Sequence, residues 1–323
     1  MPDETDPIMV SVIMPVHNEE ENLKDLAERT AAAMEKSGRS FEIIFVDDGS
    51  DDESFKVLEA LAQSDPRMRV LRLTRNFGQS VALEAGFRAA RGEVIVPMDA
   101  DGQNDPEDIP RLLMKLDDGF DVVSGYRRHR RDPLVRKVVP SRVANMLIRL
   151  LTGVRLHDFG CTLKAYRVWV LEDVRLYGEM HRFLPVFAHW NGGKITELDV
   201  AHHPRVHGRS HYSLGRVFKV LVDLITVTFM TNFASKPGYL FGCVGFISML
   251  GGLGFAGWTL YERLALNVPV HRNPRALLAV FLFLMGVIVV LMGLIAEMLV
   301  RLREESRKIP PYKIRSKINF PEK

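Results

Sequence analysis

The 323-residue chain has little cysteine, little net charge and no apolar run near its start. The two cysteines, Cys161 and Cys243, lie far apart, one in a charged part and one in an apolar part. That excludes a disulfide scaffold and fits a reducing cytosol. A net charge of +3 gives no ground for a nucleic-acid partner. Met1 to Pro7 are acidic and polar, with no apolar stretch behind a basic start. They do not read as a secretory signal, and the first half is expected in the cytosol. No internal repeat and no low-complexity tract interrupts the chain.

What is present is sharply divided. Up to about Arg216 charged and apolar residues alternate; beyond Lys236 the chain is mostly apolar until Glu297. Pro237 to Tyr261 and Ala276 to Ala296 contain no charged residue. About 20 apolar residues suffice for a helix to cross the hydrocarbon core. Both stretches are apolar on every face, unlike surface helices of a soluble domain. Two spans return the C-terminus to the cytosolic side, where Arg301, Arg303, Arg307, Lys308, Lys313, Arg315 and Lys317 satisfy the positive-inside rule. Three arginines in the outer loop, Arg263, Arg272 and Arg275, weaken that charge argument, so the cytosolic placement rests on the N-terminus. Ser213 to Ser235 is apolar but broken by Arg216, Lys219 and Asp223, as in helices lying in the membrane interface. The expected organisation is an α/β domain over 1–212, interfacial amphipathic helices over 213–235, two transmembrane helices within 236–300 (237–261 and 276–296), and a basic cytosolic tail over 301–323. The last dozen residues, with Pro310, Pro311 and Pro321, are expected to be irregular.

The first 212 residues alternate strand and helix patterns. Strands are expected at Val10 to Val16, Phe41 to Val46, Val70 to Leu73, Val94 to Met98 and from Val122. Helices are expected at Glu19 to Lys36, Asp51 to Gln63, Gln79 to Ala90 with Gly92 as its C′ residue, and Pro106 to Leu116. This alternation predicts a doubly wound, largely parallel sheet. Ligands of such sheets bind beyond the C-terminal strand ends, where His17, Asp47, Asp48, Asp99 and Asp101 stand.

Three motifs carry chemistry. In VIVPMDADGQ, residues 94–103, a buried strand delivers Asp99 and Asp101 onto one loop, with Gln103 two residues on. Two close carboxylates repel unless a cation lies between them, and oxygen donors of this kind suit Mg²⁺ or Mn²⁺. Alone, Asp-x-Asp also describes a solvated acidic turn. In SVIMPVHNEEENL, residues 11–23, Pro15 ends a strand and Asn18 reads as a helix N-cap. In FEIIFVDDGSDD, residues 41–52, strand-end carboxylates can accept hydrogen bonds from a base or ribose, while Asp-Gly-Ser is also a turn signal. Arg127, Arg128, Arg130, Arg131, Arg136 and Arg142 crowd one segment, and arginine's planar fork suits phosphate oxygens. Most of Arg128 to Arg131 reads as solvated or head-group-facing charge.

Pro15-x-His17-Asn18-Glu19, Val46-Asp47-Asp48-Gly49-Ser50, Arg75-Asn76-Phe77-Gly78 and Asp99-Ala100-Asp101-Gly102-Gln103 together resemble the inverting family 2 glycosyltransferases of GT-A fold. More narrowly, the chain from about Val10 to the second span resembles polyprenyl-phosphate glycosyltransferases. These include dolichol-phosphate mannose synthases, bactoprenol glucosyltransferases and undecaprenyl-phosphate aminoarabinose transferases.

The resemblance implies a metal-dependent membrane enzyme, with Mg²⁺ or Mn²⁺ and a UDP-sugar rather than a GDP-sugar as donor. It implies a polyprenyl phosphate acceptor, a place in the bacterial inner membrane, a link to lipopolysaccharide or other envelope glycans, and a homo-tetramer. Pro15, His17, Glu19, Val46, Asp47, Asp48 and the backbone of Ala100 would line the nucleotide pocket. Asp99, Asp101 and Gln103 would surround the metal. Arg127, Ser141 and Arg142 would meet the acceptor phosphate. Arg205 and His211 would close over the donor diphosphate. Tyrosine often stands in the family at the place of His17, and lysine at the place of His211. Asp101, Asp158 and Arg205 form the implied catalytic set, with Asp158 as base, as a group orienting acceptor or sugar, or as a turn stabiliser. His181 or Arg182 would reach the sugar or acceptor. A processive polysaccharide synthase would call for more spans and a Gln-x-x-Arg-Trp motif, which this chain lacks. A non-catalytic nucleotide-binding protein fits poorly with intact Asp99, Asp101 and Arg205.

Overall fold

The computed structural model describes residues 8–128, 145–146, 148–150, 152–172, 174–176, 178, 180–203, 237–305 and 311–320. The chain divides into two compact units, Met1–Ile225 with Pro311–Lys323, and Thr226–Pro310.

In the first unit the described strands form one mixed sheet. They are β1 (Val10–Val16), β2 (Phe41–Asp47), β3 (Met68–Leu73), β4 (Val94–Pro97), β5 (Val122–Tyr126), β6 (Lys164–Arg167), β7 (Ile195–Asp199) and β8 (Ile314–Ile318), in the order β7-β5-β6-β4-β1-β2-β3-β8. The strands β4, β1, β2 and β3 run parallel, as do β5 and β7; β6 and β8 run antiparallel to their neighbours. Central β2 is buried at every residue and β1 at all but Pro15. Both faces are therefore covered, which is why these strands read as continuous apolar runs. The covering helices include α1 (Leu23–Lys36), α2 (Ser54–Ser64), α3 (Gln79–Ala89), α4 (Ile109–Asp117) and α5 (Leu184–Trp190). Leu23, Leu26, Ala27, Thr30, Ala31 and Met34 bury one stripe of α1, the spacing of an amphipathic helix.

Four expectations are corrected. The helix after β1 starts at Leu23, and Asn18 is not its N-cap. Asn18 lies at φ 58°, and its Oδ1 accepts the Asp51 backbone N–H at 2.9 Å. A 3-10 turn, Pro106–Asp108, precedes α4. Gly92 is not a left-handed C′ residue. It is small because a Cβ there would lie 2.7 Å from the Ser11 backbone nitrogen. The last residues are not irregular. After Pro311 the chain adds β8 to the edge of β3, and Thr74 N–H donates to Lys313 O at 3.0 Å. The Arg69 guanidinium, buried in an ion pair with Glu42, lies 3.7 Å from the Phe320 ring centroid and donates from Nε to Asn319 O.

The second unit is a helical hairpin of α6 (Pro237–Ala265) and α7 (Pro274–Glu305). Leu240–Ala265 and Pro274–Ala296 are long and apolar enough to cross a membrane. Phe246, Leu250, Leu253, Phe281, Ile288 and Leu294 are exposed. At the turn, Glu262 accepts hydrogen bonds from Trp258 Nε1 at 2.9 Å and Asn273 Nδ2 at 2.5 Å, and pairs with Arg275. The expected interfacial helices, 213–235, lie outside the described residues.

Candidate active site

The C-terminal ends of β4, β1 and β2 are adjacent, so the three acidic motifs meet along one sheet edge. Pro15 is in register with Val46, and Val16 with Asp47. Asp48 N–H donates to Val16 O at 2.8 Å. The Asp47 carboxylate is fully buried; it accepts the Ser50 N–H at 2.9 Å and lies 3.3 Å from Arg72 Nε. Asp48 accepts the backbone N–H groups of Phe77 at 2.7 Å and Gly78 at 2.8 Å, one on each oxygen. Burial raises its pKa, and those two hydrogen bonds pull against the rise. Gly49 sits at φ 67°, with its α-carbon against the 75–76 backbone: a Cβ there would meet Arg75 C at 2.5 Å. His17 is exposed. Glu19 is half-buried and accepts from Asn22 Nδ2 at 2.7 Å.

On the β4 side the carboxylates face a different situation. Burial and the neighbouring Asp101 charge push the Asp99 carboxyl up to about 6. Gln79 Nε2 donates to Asp99 Oδ1 at 2.6 Å, and Thr162 Oγ1 donates to Oδ2 at 2.5 Å. Asp101 accepts the Gln103 N–H at 3.1 Å. Ala100 is buried between them. Among the described residues no cluster of three or more His, Cys, Asp or Glu side chains forms a protein-only metal cage. Two mutually repelling carboxylates are the donor set of a cation that completes its shell with phosphate and water, as Mg²⁺ and Mn²⁺ do. The residues present fit such a metal.

Next to this loop lies a buried ion pair. Arg127 Nε and Nη2 donate to the two oxygens of Asp158 at 2.8 and 3.1 Å, with side-chain exposures of 15% and 1%. Burial opposes the Arg127 charge, but Asp158, together with Cys161 and Asp99, holds the guanidinium above its ordinary pKa. Asp158 also accepts the Gly160 N–H at 3.0 Å, so its turn-stabilising role is present together with the ion pair. Behind it Lys164 is buried, its Nζ donating to Phe159 O at 3.2 Å and to Cys161 O. Burial lowers the Lys164 pKa. Arg128, by contrast, is an exposed partner of Asp199, in line with a solvated role.

A third wall comes from 174–176, 178 and 180–183. Glu84 of α3 accepts Leu176 N–H at 2.9 Å and pairs with Arg175 at 2.9 Å. Ser80 Oγ donates to Gly178 O at 2.7 Å and lies 2.9 Å from His181 Nδ1. A small cavity between this segment and the 159–162 loop is lined by His181, Arg182, Thr162, Lys164 and Tyr166.

Arg205, His211, Ser141 and Arg142 lie outside the described residues. The chain beside two of these gaps is at the site. His203 N–H donates to Gln103 O at 2.9 Å, and Asn145 Nδ2 donates to His157 O at 2.8 Å. Sequence reasoning missed Gln79, Ser80, Thr162 and Lys164. Only the position of Gln79 right after Arg75-Asn76-Phe77-Gly78 hinted at a role for any of them.

Comparison with known proteins agrees with this geometry. Residues 11–175 match the family model described as glycosyl transferase family 2. The dodecaprenyl-phosphate galacturonate synthase of Rhizobium johnstonii is 37% identical over 318 residues, covering 95% of this chain and 92% of that protein. The undecaprenyl-phosphate 4-deoxy-4-formamido-L-arabinose transferase of Pseudomonas paraeruginosa is 40% identical over 306 residues, covering 94% and 88%. Among solved structures, glucosyl-3-phosphoglycerate synthase from Mycobacterium tuberculosis, in complex with Mn²⁺, UDP and phosphoglyceric acid, shares the fold. It has a TM-score of 0.55 and 18% identity, covering 68% of this chain and 78% of that one. The mixed sheet with its acidic edge is thus a GT-A-like fold, and the chain belongs to glycosyl transferase family 2, as a glycosyltransferase.

Proposed function

We propose that this enzyme moves a sugar from a uridine diphosphate sugar to a polyprenyl phosphate, at the cytosolic face of a bacterial inner membrane, with inversion at the anomeric carbon. The observation that carries the reading is the meeting of the repelling Asp99–Asp101 pair with the buried Arg127–Asp158 pair at one sheet edge, where Thr162, four residues after Asp158, donates to Asp99. One pair suits a metal-bound diphosphate; in the other, Asp158 takes the Nε and Nη2 side of Arg127 and leaves its Nη1 side for an incoming phosphate. The curated relatives described above carry polyprenyl phosphates in their names, and the two apolar helices suit a lipid acceptor. The work of this chain is cell-envelope modification.

On this reading Pro15, His17, Glu19, Val46, Asp47 and Asp48 form the nucleotide side. Asp99, Asp101 and Gln103 hold Mg²⁺ or Mn²⁺. When bound, the cation supplies charge neutralisation to the leaving diphosphate. Arg205 and His211 close over the same phosphates. Arg127, Ser141 and Arg142 hold the acceptor. An acceptor phosphate oxygen forms a bond to the anomeric carbon on the face opposite the diphosphate. The bond from that carbon to the diphosphate oxygen breaks, and its electron pair leaves with the diphosphate. A phosphate monoester has a second pKa near 6, so the nucleophile is largely ionised at neutral pH. No strong base is needed, and Asp158 aims the Arg127 fork.

A thermal-shift panel of UDP- and GDP-sugars with Mn²⁺ tests the donor. A ligand at about 100 times its Kd stabilises by about 2.7 kcal/mol, so one UDP-sugar should raise the melting temperature by several degrees. UDP-galacturonate and UDP-4-formamidoarabinose are the first to try. A shift only with GDP-sugars, or one unaffected by chelation of the metal, contradicts the reading.

A further inference from the structure

We infer that Gln79 is a positioning residue for Asp99, and that the start of α3 ties the nucleotide side of the site to its metal side. The inference rests on the proposed metal-dependent reading. Asp99 and Asp48 stand at the ends of β4 and β2, with β1 between them. No hydrogen bond joins the two carboxylates directly. The chain of contacts runs instead over α3. Asp48 binds the N–H groups of Phe77 and Gly78, fixing the two residues that enter the helix. Gln79, the next residue, extends its amide to Asp99 Oδ1 at 2.6 Å. Thr162 takes the other oxygen at 2.5 Å. Ser80 and Glu84 of the same helix hold the backbone of Leu176, Gly178 and His181.

Two neutral donors, one on each oxygen, set the plane and rotamer of the Asp99 carboxylate. That carboxylate lies on a buried loop, and these two donors are what fix its rotamer. A carboxamide suits this position: its N–H donates to the carboxylate and adds no charge to the pair. Leucine at 79 keeps the volume and removes the donor. Glutamate at 79 would add a third negative charge. The linkage explains why Arg75-Asn76-Phe77-Gly78-Gln79 belongs with the acidic motifs although it carries no acid: it aims one of them.

Mn²⁺ binding in the presence of UDP, followed by electron paramagnetic resonance on the full chain in detergent, tests the role. Partners that orient a metal-ligating carboxylate typically contribute 10–100-fold to metal affinity. Gln79→Leu should weaken Mn²⁺ binding about tenfold and change the Mn²⁺ spectrum, with a melting temperature near wild type. Thr162→Val should do the same, and Thr162→Ser, which keeps the hydroxyl, should restore the wild-type affinity. In an Asp99→Asn background, Gln79→Leu should add no further loss, the non-additivity expected of residues acting through one group. Wild-type binding with Gln79→Leu unchanged, or losses that add fully in the double variant, overturns the positioning role alone. A wild-type chain that takes up no Mn²⁺ with UDP overturns both this inference and the metal-dependent reading.

Discussion

Two pairs of aspartates end two strands of the same sheet, and they live under opposite conditions. Asp47 and Asp48, after β2, are met by local partners: Ser50 and Phe77 and Gly78 N–H groups, and the Arg72 guanidinium. Asp99 and Asp101, after β4, are met by neutral donors only, Gln79, Thr162 and the Gln103 N–H, and the Asp99 carboxyl is pushed up to about 6 by burial and the Asp101 charge. Acids met by backbone N–H groups and a guanidinium brace the loops that carry them. Acids that the fold leaves in conflict cost stability until a cation arrives. The sequences VDDGS and MDADG look equally acidic, and only their surroundings separate a pair that meets backbone N–H groups and a guanidinium from one that meets neutral side chains.

That contrast can be broken by substitution. Asp101→Asn should lower turnover roughly 1,000-fold, the scale for losing a group that stabilises developing charge, without lowering the melting temperature of the metal-free chain. Initial rates with radiolabelled donor check it, and normal turnover would remove Asp101 from the site. Arg127→Gln should destabilise by about 3–5 kcal/mol, because it strands the Asp158 charge in a buried place. A melting temperature unchanged from wild type would show that solvent reaches Asp158. Asp48→Ala should cost about 2 kcal/mol of stability through two lost charged hydrogen bonds. In thermal unfolding its effect should exceed that of Asp99→Asn, which relieves repulsion; the reverse ranking would erase the distinction between the two pairs.

The smallest effect is a pH dependence. The folded Asp99 pKa of about 6 lies above the ordinary 3.8, so its contribution favours the folded state at low pH and is lost as pH rises from about 4 to about 6. Mn²⁺ binds the ionised form, so the melting-temperature gain from Mn²⁺ should be a few degrees larger at pH 7.5 than at pH 5. In Asp99→Asn that pH difference should shrink. A gain independent of pH in the wild type would place the cation elsewhere.

Much of this site was legible in the sequence. The runs VSVIMPV and FEIIFVD are buried on both faces, so their apolar continuity marks central parallel strands and locates the acids at their ends. The Asp99 neighbours were not legible. Gln79 is 20 residues away and Thr162 is 63, and a lone glutamine opening a helix has no local signature. Asn18 looked like an N-cap because the hydrogen bond it makes crosses to another loop, 33 residues on, rather than into the following helix. The β8 strand was missed for a different reason. IRSKI alternates half-buried and exposed residues at a sheet edge, and its ladder partners Val70 to Leu73 lie at the far end of the sequence. Lys164 reads as an ordinary surface lysine until the 159–162 loop is seen wrapped around its ammonium.

On the proposed function these two charge arrangements serve one transfer, between a metal-held diphosphate and a lipid phosphate. The most direct measurement incubates the detergent-solubilised full chain with Mn²⁺, radiolabelled UDP-sugar and a polyprenyl phosphate, and analyses the organic phase. The account predicts label in a monoglycosylated polyprenyl phosphate, lost on chelation of the metal and in Asp101→Asn. Label appearing only as free sugar or as a growing polymer, with none on the lipid, would contradict it.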